Sequence, residues 1–465
     1  MDDPRSHLPS VSLLLEEPDI QDLIRIHSRQ LVMDAINEAL GWYREHLKSG
    51  DAAPVQRDIT AKIEFFLRGI ERDSVRPVVN ATGIILHTGL GRAVLPENAA
   101  KALGSLDRCC NLQIDLETGE RGKRNAMIEK LLCKLTGAEA ALIVNNNAAA
   151  TYLILAALCR EKEVIISRGQ MIEIGGSYRL PDCILESGAI LREVGTTNKT
   201  HLRDYEEALG ENTGAILRCN PSNFRIIGFT SEVPIADLAS LKKKQSVLVI
   251  DDLGCGALVN LECYGLPREP MIQESLAAGA DLVCSSGDKL IGGPQAGIIL
   301  GRKDLIQILK KHPLTRMLRV CKLTAIALEQ TLRLFLEPES LFQKNPSLRM
   351  ISMPPLKLRT RAQKIRRTIL REKLPFQAEI REEESATGGG SLPHAVLKTF
   401  VIALSSPTLS AERLSSLFRQ NEPPIITRIK NDQVLLDPRT IFEDEEKYIV
   451  QALKKIAGRS HDLQS

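Results

Sequence analysis

The chain has 465 residues, 43% of them hydrophobic and 26% charged, and carries a net charge of +3. This length suits a large catalytic domain with smaller flanking ones. The composition excludes disorder over most of the chain, and the charge neither demands nor forbids a polyanionic partner. Ten scattered cysteines without paired metal-ligand spacing, no uninterrupted apolar run of membrane-span length and no apolar signal core after Asp2-Asp3-Pro4 lead to the expectation of a cytoplasmic protein with reduced thiols.

Residues 1 to about 75 read as amphipathic helices. One covers Ile20 to Leu47, with apolar Leu23, Ile26, Leu31 and Ile36, and another covers Ile59 to Ile70; Asp51-Ala52-Ala53-Pro54 separates them. Arg76-Pro77 closes this region, and the glycine-richer texture that starts at Val78 marks a domain boundary. From Ala140 onward, short apolar strands alternate with helical stretches: Ala141 to Val144, Val164 to Ser167, Ala189 to Val194, Ala215 to Arg218, Val247 to Asp251, Leu282 to Ser285 and Gly297 to Gly301. That rhythm predicts an α/β fold, a seven-stranded, mainly parallel sheet with helices on both faces. A helix from Leu323 to about Leu336 precedes Pro338. The last third, with a helix over Leu358 to Leu374, strands at Thr399 to Leu404 and Gln433 to Leu436 and a helix near Glu445 to Ala457, reads as a small α+β domain. Gly388-Gly389-Gly390 reads as a turn.

Four features carry chemistry. The run Ala141 to Val144 enters Asn145-Asn146-Asn147 and a helix start at Ala148, a junction that aims free backbone N–H groups at an anion; a plain helix cap is the simpler alternative. Val249-Ile250-Asp251-Asp252 ends a strand in carboxylates before a glycine-rich turn, where an acid can pair with a pyridine nitrogen. Asp252 is preferred because it adjoins the turn, and a solvated aspartate pair is the alternative. Leu282 to Lys289 ends another strand in small residues and a lysine, which in a site of low dielectric can form an imine with an aldehyde; Ser286 can add a hydroxyl to a phosphate. A lone lysine is usually a surface charge, but an anion-binding turn, an acid and a lysine in this order make the layout of a pyridoxal-phosphate site on Lys289. Arginines form the fourth feature: Arg92 in a glycine-rich turn, Arg121 and Arg124, and Arg316 with Arg319, an i, i+3 pair able to grip one oxyanion from a helix. Their alternative is an exposed basic face.

With Asn80 to Arg92, Asn145 to Ala150, Ser167-Arg168-Gly169-Gln170, Glu173 to Gly176, Gly195 to Thr200 and Ser286 to Gly297 in view, the sequence resembles the bacterial selenocysteine synthases, the L-seryl-tRNA(Sec) selenium transferases. The resemblance runs from about residue 10 to the C-terminus and is densest between 77 and 335. It implies an aspartate-aminotransferase-like fold (fold type I), with a helical tRNA-binding domain at 1–75, a cofactor-binding core at 76–336 and an α+β domain at 337–465. It also implies pyridoxal phosphate on Lys289, with Asp252 on the pyridine nitrogen, Asp288 supporting the lysine, and Asn146, Asn147, Ala148 and Ser286 around the cofactor. Arg92, Arg316 and Arg319 match the arginines that hold the phosphate of selenophosphate, with Arg121 or Arg124 as an addition. Seryl-tRNA(Sec) would pass through an aminoacrylyl-tRNA to selenocysteinyl-tRNA(Sec). The assembly implied is a homodecamer, a pentamer of dimers with active sites at the dimer interface, and the first 75 residues correspond to the part that recognises the tRNA D-arm.

The basic run Lys357 to Arg371 is a second candidate for RNA phosphates, with a solvated helix face as its alternative. The sequence departs from the family pattern at Asn220 and Phe224, where histidine and tyrosine are usual, at Cys255 in place of serine and at Cys321 in place of aspartate. These departures leave open a shifted substrate preference or a different second step. Two rival readings are a small-molecule pyridoxal-phosphate lyase or aldolase, which has no need of the N-terminal helices, and a non-catalytic RNA-binding paralogue, against which the lysine, aspartate and arginine set argues.

Overall fold

Apolar residues at Val32, Ala35, Ile36, Ala39 and Leu40 recur at helical spacing and are buried on one side of a 20-residue helix. In the computed structural model, which describes residues 8–48, 54–71, 73–122, 124–392 and 395–462, this is α3 (Arg29–Lys48). It follows α1 (Val11–Glu16) and α2 (Pro18–Ile26) and packs with α4 (Gln56–Glu71), whose Ile59, Ile63 and Leu67 complete the same small core. The single helix expected from Ile20 to Leu47 is two helices, because Ser28 restarts the chain: its hydroxyl accepts the N–H of Leu31 at 3.3 Å. Residues 51–53 of the expected separator, and Lys123, lie outside the described residues. The chain divides after Pro77 into two compact units, Met1–Pro77 and Val78–Ser465.

The larger unit is built on a seven-stranded sheet, β1 (Ala140–Val144), β2 (Glu163–Ser167), β3 (Ile190–Val194), β4 (Thr213–Cys219), β5 (Leu248–Gly254), β6 (Leu282–Ser286) and β7 (Gly297–Gly301). Its order is β1-β7-β6-β5-β4-β2-β3, parallel throughout except for β7, which runs antiparallel to both neighbours. Strand residues alternate between two cores. Ile143, Ile216, Val249 and Val283 face one, and Leu142, Leu217, Ile250 and Cys284 face the other. Strands buried on both faces are apolar at nearly every position, hence the continuous apolar runs of β1, β6 and β7, whereas the edge strand β3 is largely exposed and carries Arg192 and Glu193.

The last third forms an antiparallel sheet, β8 (Gln377–Ala386), β9 (Val396–Ser405), β10 (Arg428–Lys430) and β11 (Gln433–Leu436), in the order β8-β9-β11-β10. Chain entering from Val78 is tied into it. Val79 and Asn80 pair with Ile425 and Ile426, Leu86 N–H donates to Thr387 O at 2.7 Å, and Gly83 lies so close to the buried Asp437 carboxylate that a Cβ there would stand 2.1 Å from an oxygen. The residues just before the Arg92 turn are thereby fixed against the segment that follows β8. Part of the basic run on the helix Pro355–Arg371 is spent inside this region: Arg361 is buried and bonded to Glu446, Pro438 O and Ile441 O, Lys364 pairs with Glu446, and Arg366 donates to Ala378 O.

Candidate active site

Strand alternation separates the two adjacent aspartates. Asp251 points to the face of Val249, where Arg218 holds it at 2.9 Å. Asp252 points to the opposite face, under the helix α5 (Asn147–Leu158). One Asp252 oxygen accepts Asn147 Nδ2 at 2.7 Å and Gly254 N–H at 2.9 Å, and the other accepts the Thr151 hydroxyl at 2.8 Å. Three donors fix the orientation of a carboxylate only 5% exposed and stabilise its charge.

Asn146 is the N-cap of α5, its side chain accepting Ala149 N–H at 2.9 Å. Its side chain is committed to the helix and that of Asn147 to Asp252, so an anion here would meet the backbone N–H groups of Asn147 and Ala148, which lie in the first turn and have no intrahelical partner. Ser286 is buried at the end of β6, three residues before Lys289. Lys289 is 4% exposed, and its amine donates to Gly390 O at 3.4 Å. Beside it, Asp288 pairs with Arg92 at 2.9 Å. Arg92 takes a left-handed φ of 63° after Gly91 at 87°, a backbone cost of roughly 1–2 kcal/mol for a side-chain-bearing residue that coincides with the delivery of its guanidinium to this carboxylate.

Arg316, Arg319, Arg121 and Arg124 come together elsewhere, around a cavity of about 430 Å³ against β1 that Lys310 also lines. Arg92 and Lys289 do not line it. Arg316 belongs to the short helix Pro313–Met317, but Arg319 lies beyond its end; the expected i, i+3 pair on one helix is instead a helix end and its following loop. Leu318 between them accepts the N–H of Asn145 at 2.8 Å, which attaches this segment to the turn that begins α5.

The resembling motifs also converge. The hydroxyls of Ser167 and Thr200 are 2.6 Å apart, a Cβ on Gly169 would stand 2.7 Å from Thr197 O, and buried Gln170 accepts Cys219 N–H at 3.2 Å. Three site residues were not singled out from the sequence. Thr151 lies one helical turn after Asn147, so the spacing to Asp252's other donor was available. Gly390 was read as part of a turn; all three glycines of its run have φ near 70°, and a Cβ on Gly390 would lie 3.7 Å from the Lys289 amine, so three glycines together signalled close backbone approach. Glu269 is partly buried, and burial pushes its carboxyl up to about 7 against the pull of the Lys289 and Arg218 charges; no local pattern marked it. Cys255, whose thiol burial pushes up to about 12, donates to Ser391 at 2.8 Å and packs the same glycine segment.

Unpaired helix N–H groups, a triply held acid, and a buried amine fit the phosphate, the ring nitrogen and the aldehyde carbon of pyridoxal phosphate. Asn147 Oδ1 and Asp288 Oδ1 are buried here without a partner among the described residues. The fold and this site define a pyridoxal-phosphate-dependent enzyme of fold type I. A solved structure of D-glucosaminate-6-phosphate ammonia-lyase shares the fold, with a TM-score of 0.56 at 21% identity over 83% of this chain and 96% of that one. Residues 78–442 match the L-seryl-tRNA selenium transferase family and residues 5–44 the family described as selenocysteine synthase N terminal. The L-seryl-tRNA(Sec) selenium transferase of Carboxydothermus hydrogenoformans is 46% identical over 96% of this chain and 97% of its own length, and that of Maridesulfovibrio salexigens 44% over 97% and 98%. The chain belongs to the L-seryl-tRNA selenium transferase family.

Proposed function

We propose that the protein converts seryl-tRNA(Sec) to selenocysteinyl-tRNA(Sec), with selenophosphate as the selenium donor. The observation that carries this reading is the buried Lys289 amine at the end of β6, on the same sheet as an acid held by three donors, in a chain of this family. Asp252 would hold the ring nitrogen of pyridoxal phosphate, the N–H groups of Asn147 and Ala148 with the Ser286 hydroxyl would hold its phosphate, and Lys289 would hold its aldehyde carbon. When bound, the cofactor supplies an electron sink for the α-carbon of the seryl group. Lys289, freed as an amine, takes the α-proton, and Asp288 with Arg92 keeps the lysine's surroundings charged and ordered.

Arg92 contributes a guanidinium to the selenium donor from within the chain. Arg316 and Arg319, with Arg121, gather in a separate cavity, and they serve the active site of a second copy across a dimer interface. A homodecamer built as a pentamer of such dimers, in the cytoplasm, is the assembly proposed. Residues 1–75 form the tRNA-binding domain, 76–336 the cofactor-binding core and 337–465 the C-terminal α+β domain. Lys289→Ala tests the reading. The variant is expected to lose the visible absorbance of lysine-bound cofactor and all measurable conversion of seryl-tRNA(Sec), and retention of both by a folded variant would refute it.

A further inference from the structure

Asn223 follows the end of β4 in a segment tied to the acid of the site. Asn220 N–H donates to Asp252 O at 2.8 Å, Ser222 N–H donates to Asn220 O at 2.7 Å, and the Ser222 hydroxyl oxygen stands 2.9 Å from where a Cβ on Gly254 would be. On its other side the segment meets the hairpin of Glu173–Ile174 and Tyr178–Arg179, because Asn223 Nδ2 donates to Glu173 O at 3.0 Å. Buried Gln170, just before that hairpin, accepts the N–H of Cys219, so hairpin and segment are joined twice. Asn223 is therefore held from two sides.

The same hydrogen bond sets which way the amide faces. Glu173 O is an acceptor, so the amide nitrogen lies on it and the amide oxygen turns the other way. Asn223 Oδ1 is buried and has no partner among the described residues. A buried acceptor without a donor is costly, and a group that enters the site with a donor removes the cost. The Lys289 amine is close by. A Cβ on Gly390 would lie 3.1 Å from Ile174 Cδ1, 3.6 Å from Asn223 Cβ and 3.7 Å from Lys289 Nζ. Asn223 and the amine thus flank one glycine, which puts no side chain between them. Asn147 Oδ1 and Asp288 Oδ1 also lack donors, but Asn147 is bonded to Asp252 and Asp288 to Arg92. Asn223 Oδ1 is the unpaired oxygen on the Gly390 side of the amine.

We propose that Asn223 Oδ1 accepts the β-hydroxyl of the seryl group and makes the site specific for serine among aminoacyl groups. This rests on the reading of Lys289 as the cofactor lysine. The seryl nitrogen takes the position that the lysine amine holds, and its β-hydroxyl, three bonds further on, comes within reach of a residue across one glycine. An acceptor selects a donor. The seryl amine is consumed in its bond to the cofactor, so the hydroxyl is the donor that remains, and an alanyl group has none. A neutral amide neither takes nor gives the proton of the reaction; Asn223 orients the C–O bond and leaves proton transfer to other groups. Asn223 lies between Asn220 and Phe224, the departures that left a shifted substrate preference open, and this contact argues for serine.

The test titrates the full-length holoenzyme with tRNA(Sec) charged with serine or with alanine, without selenophosphate, and follows the cofactor's visible absorbance. Wild type is expected to half-saturate at a roughly 10-fold lower concentration of the serine-charged tRNA, the size expected where a missing donor leaves a buried acceptor unpaired. In Asn223→Ala the two concentrations are expected to agree within about 2-fold, while the affinity for uncharged tRNA(Sec) and the absorbance of lysine-bound cofactor stay as in wild type. Asn223→Asp keeps an oxygen acceptor on the same carbon and is expected to keep the preference for serine. Equal half-saturation in wild type, an undiminished preference in Asn223→Ala, or loss of the preference in Asn223→Asp overturns the proposal. Loss of bound cofactor in both variants makes Asn223 a structural group and overturns it equally. Wild type without any lysine-bound cofactor would instead refute the reading of Lys289, a result distinct from an equal response to the two tRNAs.

Discussion

Asp252 and Asp251 are neighbours in sequence and opposites in the fold. One neutralises Arg218 on one face of β5, and the other is held by Asn147, Thr151 and Gly254 on the face that carries α5. The Thr151 hydroxyl matters because it is fully buried and donates to a carboxylate, a class of hydrogen bond that contributes about 1.5–3 kcal/mol. Thr151→Val keeps the shape and removes the donor. Its conversion rate is expected to drop roughly 10- to 100-fold while cofactor is still bound, as read by single-turnover kinetics and visible absorbance. An unchanged rate would mean that Asp252 is oriented well enough by its other two donors.

At the scale of elements, the C-terminal region enters the site through one glycine run. Gly390 has φ of 71°, its carbonyl accepts the Lys289 amine, and a Cβ there would press on Ile174 at 3.1 Å. Gly390→Ala is expected to cost about 1–2 kcal/mol of stability from the left-handed backbone, visible as a lower Tm, and to weaken cofactor attachment beyond that. A Tm and cofactor affinity equal to wild type would remove Gly390 from the site. Most strands of the central sheet were readable from sequence because they are buried on both faces and run as apolar stretches ended by turn residues; the edge strand β3, with Arg192 and Glu193 exposed, was readable from its place in the strand–helix rhythm. Strand β8 was not. Its Glu379, Arg381, Glu382, Glu383 and Glu384 face solvent in part and interrupt any apolar alternation, and its identity comes from ten residues paired with β9. The lysine, the acid and the anion-binding turn were likewise legible as local motifs at strand ends. Gly390 was not, because it reaches Lys289 only through long-range packing of the C-terminal region.

For the whole molecule, the arginines pose the question. Arg92 meets Asp288 within the chain, while Arg316 and Arg319 line a different cavity. If those two serve a neighbouring copy, a Lys289→Ala chain and an Arg316→Ala/Arg319→Ala chain, each inactive alone, restore conversion when unfolded and refolded together, since mixed dimers then hold one site with both lysine and arginines. No recovery in verified mixed oligomers would place the arginines in the site of their own chain. The central claim, that a cofactor on Lys289 acts on an amino acid still attached to tRNA, is tested most directly by single turnover of purified protein with serine-charged tRNA(Sec) and selenophosphate, reading the amino acid released from the tRNA. The account predicts selenocysteine on tRNA(Sec), none with Lys289→Ala and little on serine-charged tRNA(Ser). Serine recovered unchanged from tRNA(Sec), while the same preparation turns over a free amino acid, would contradict it.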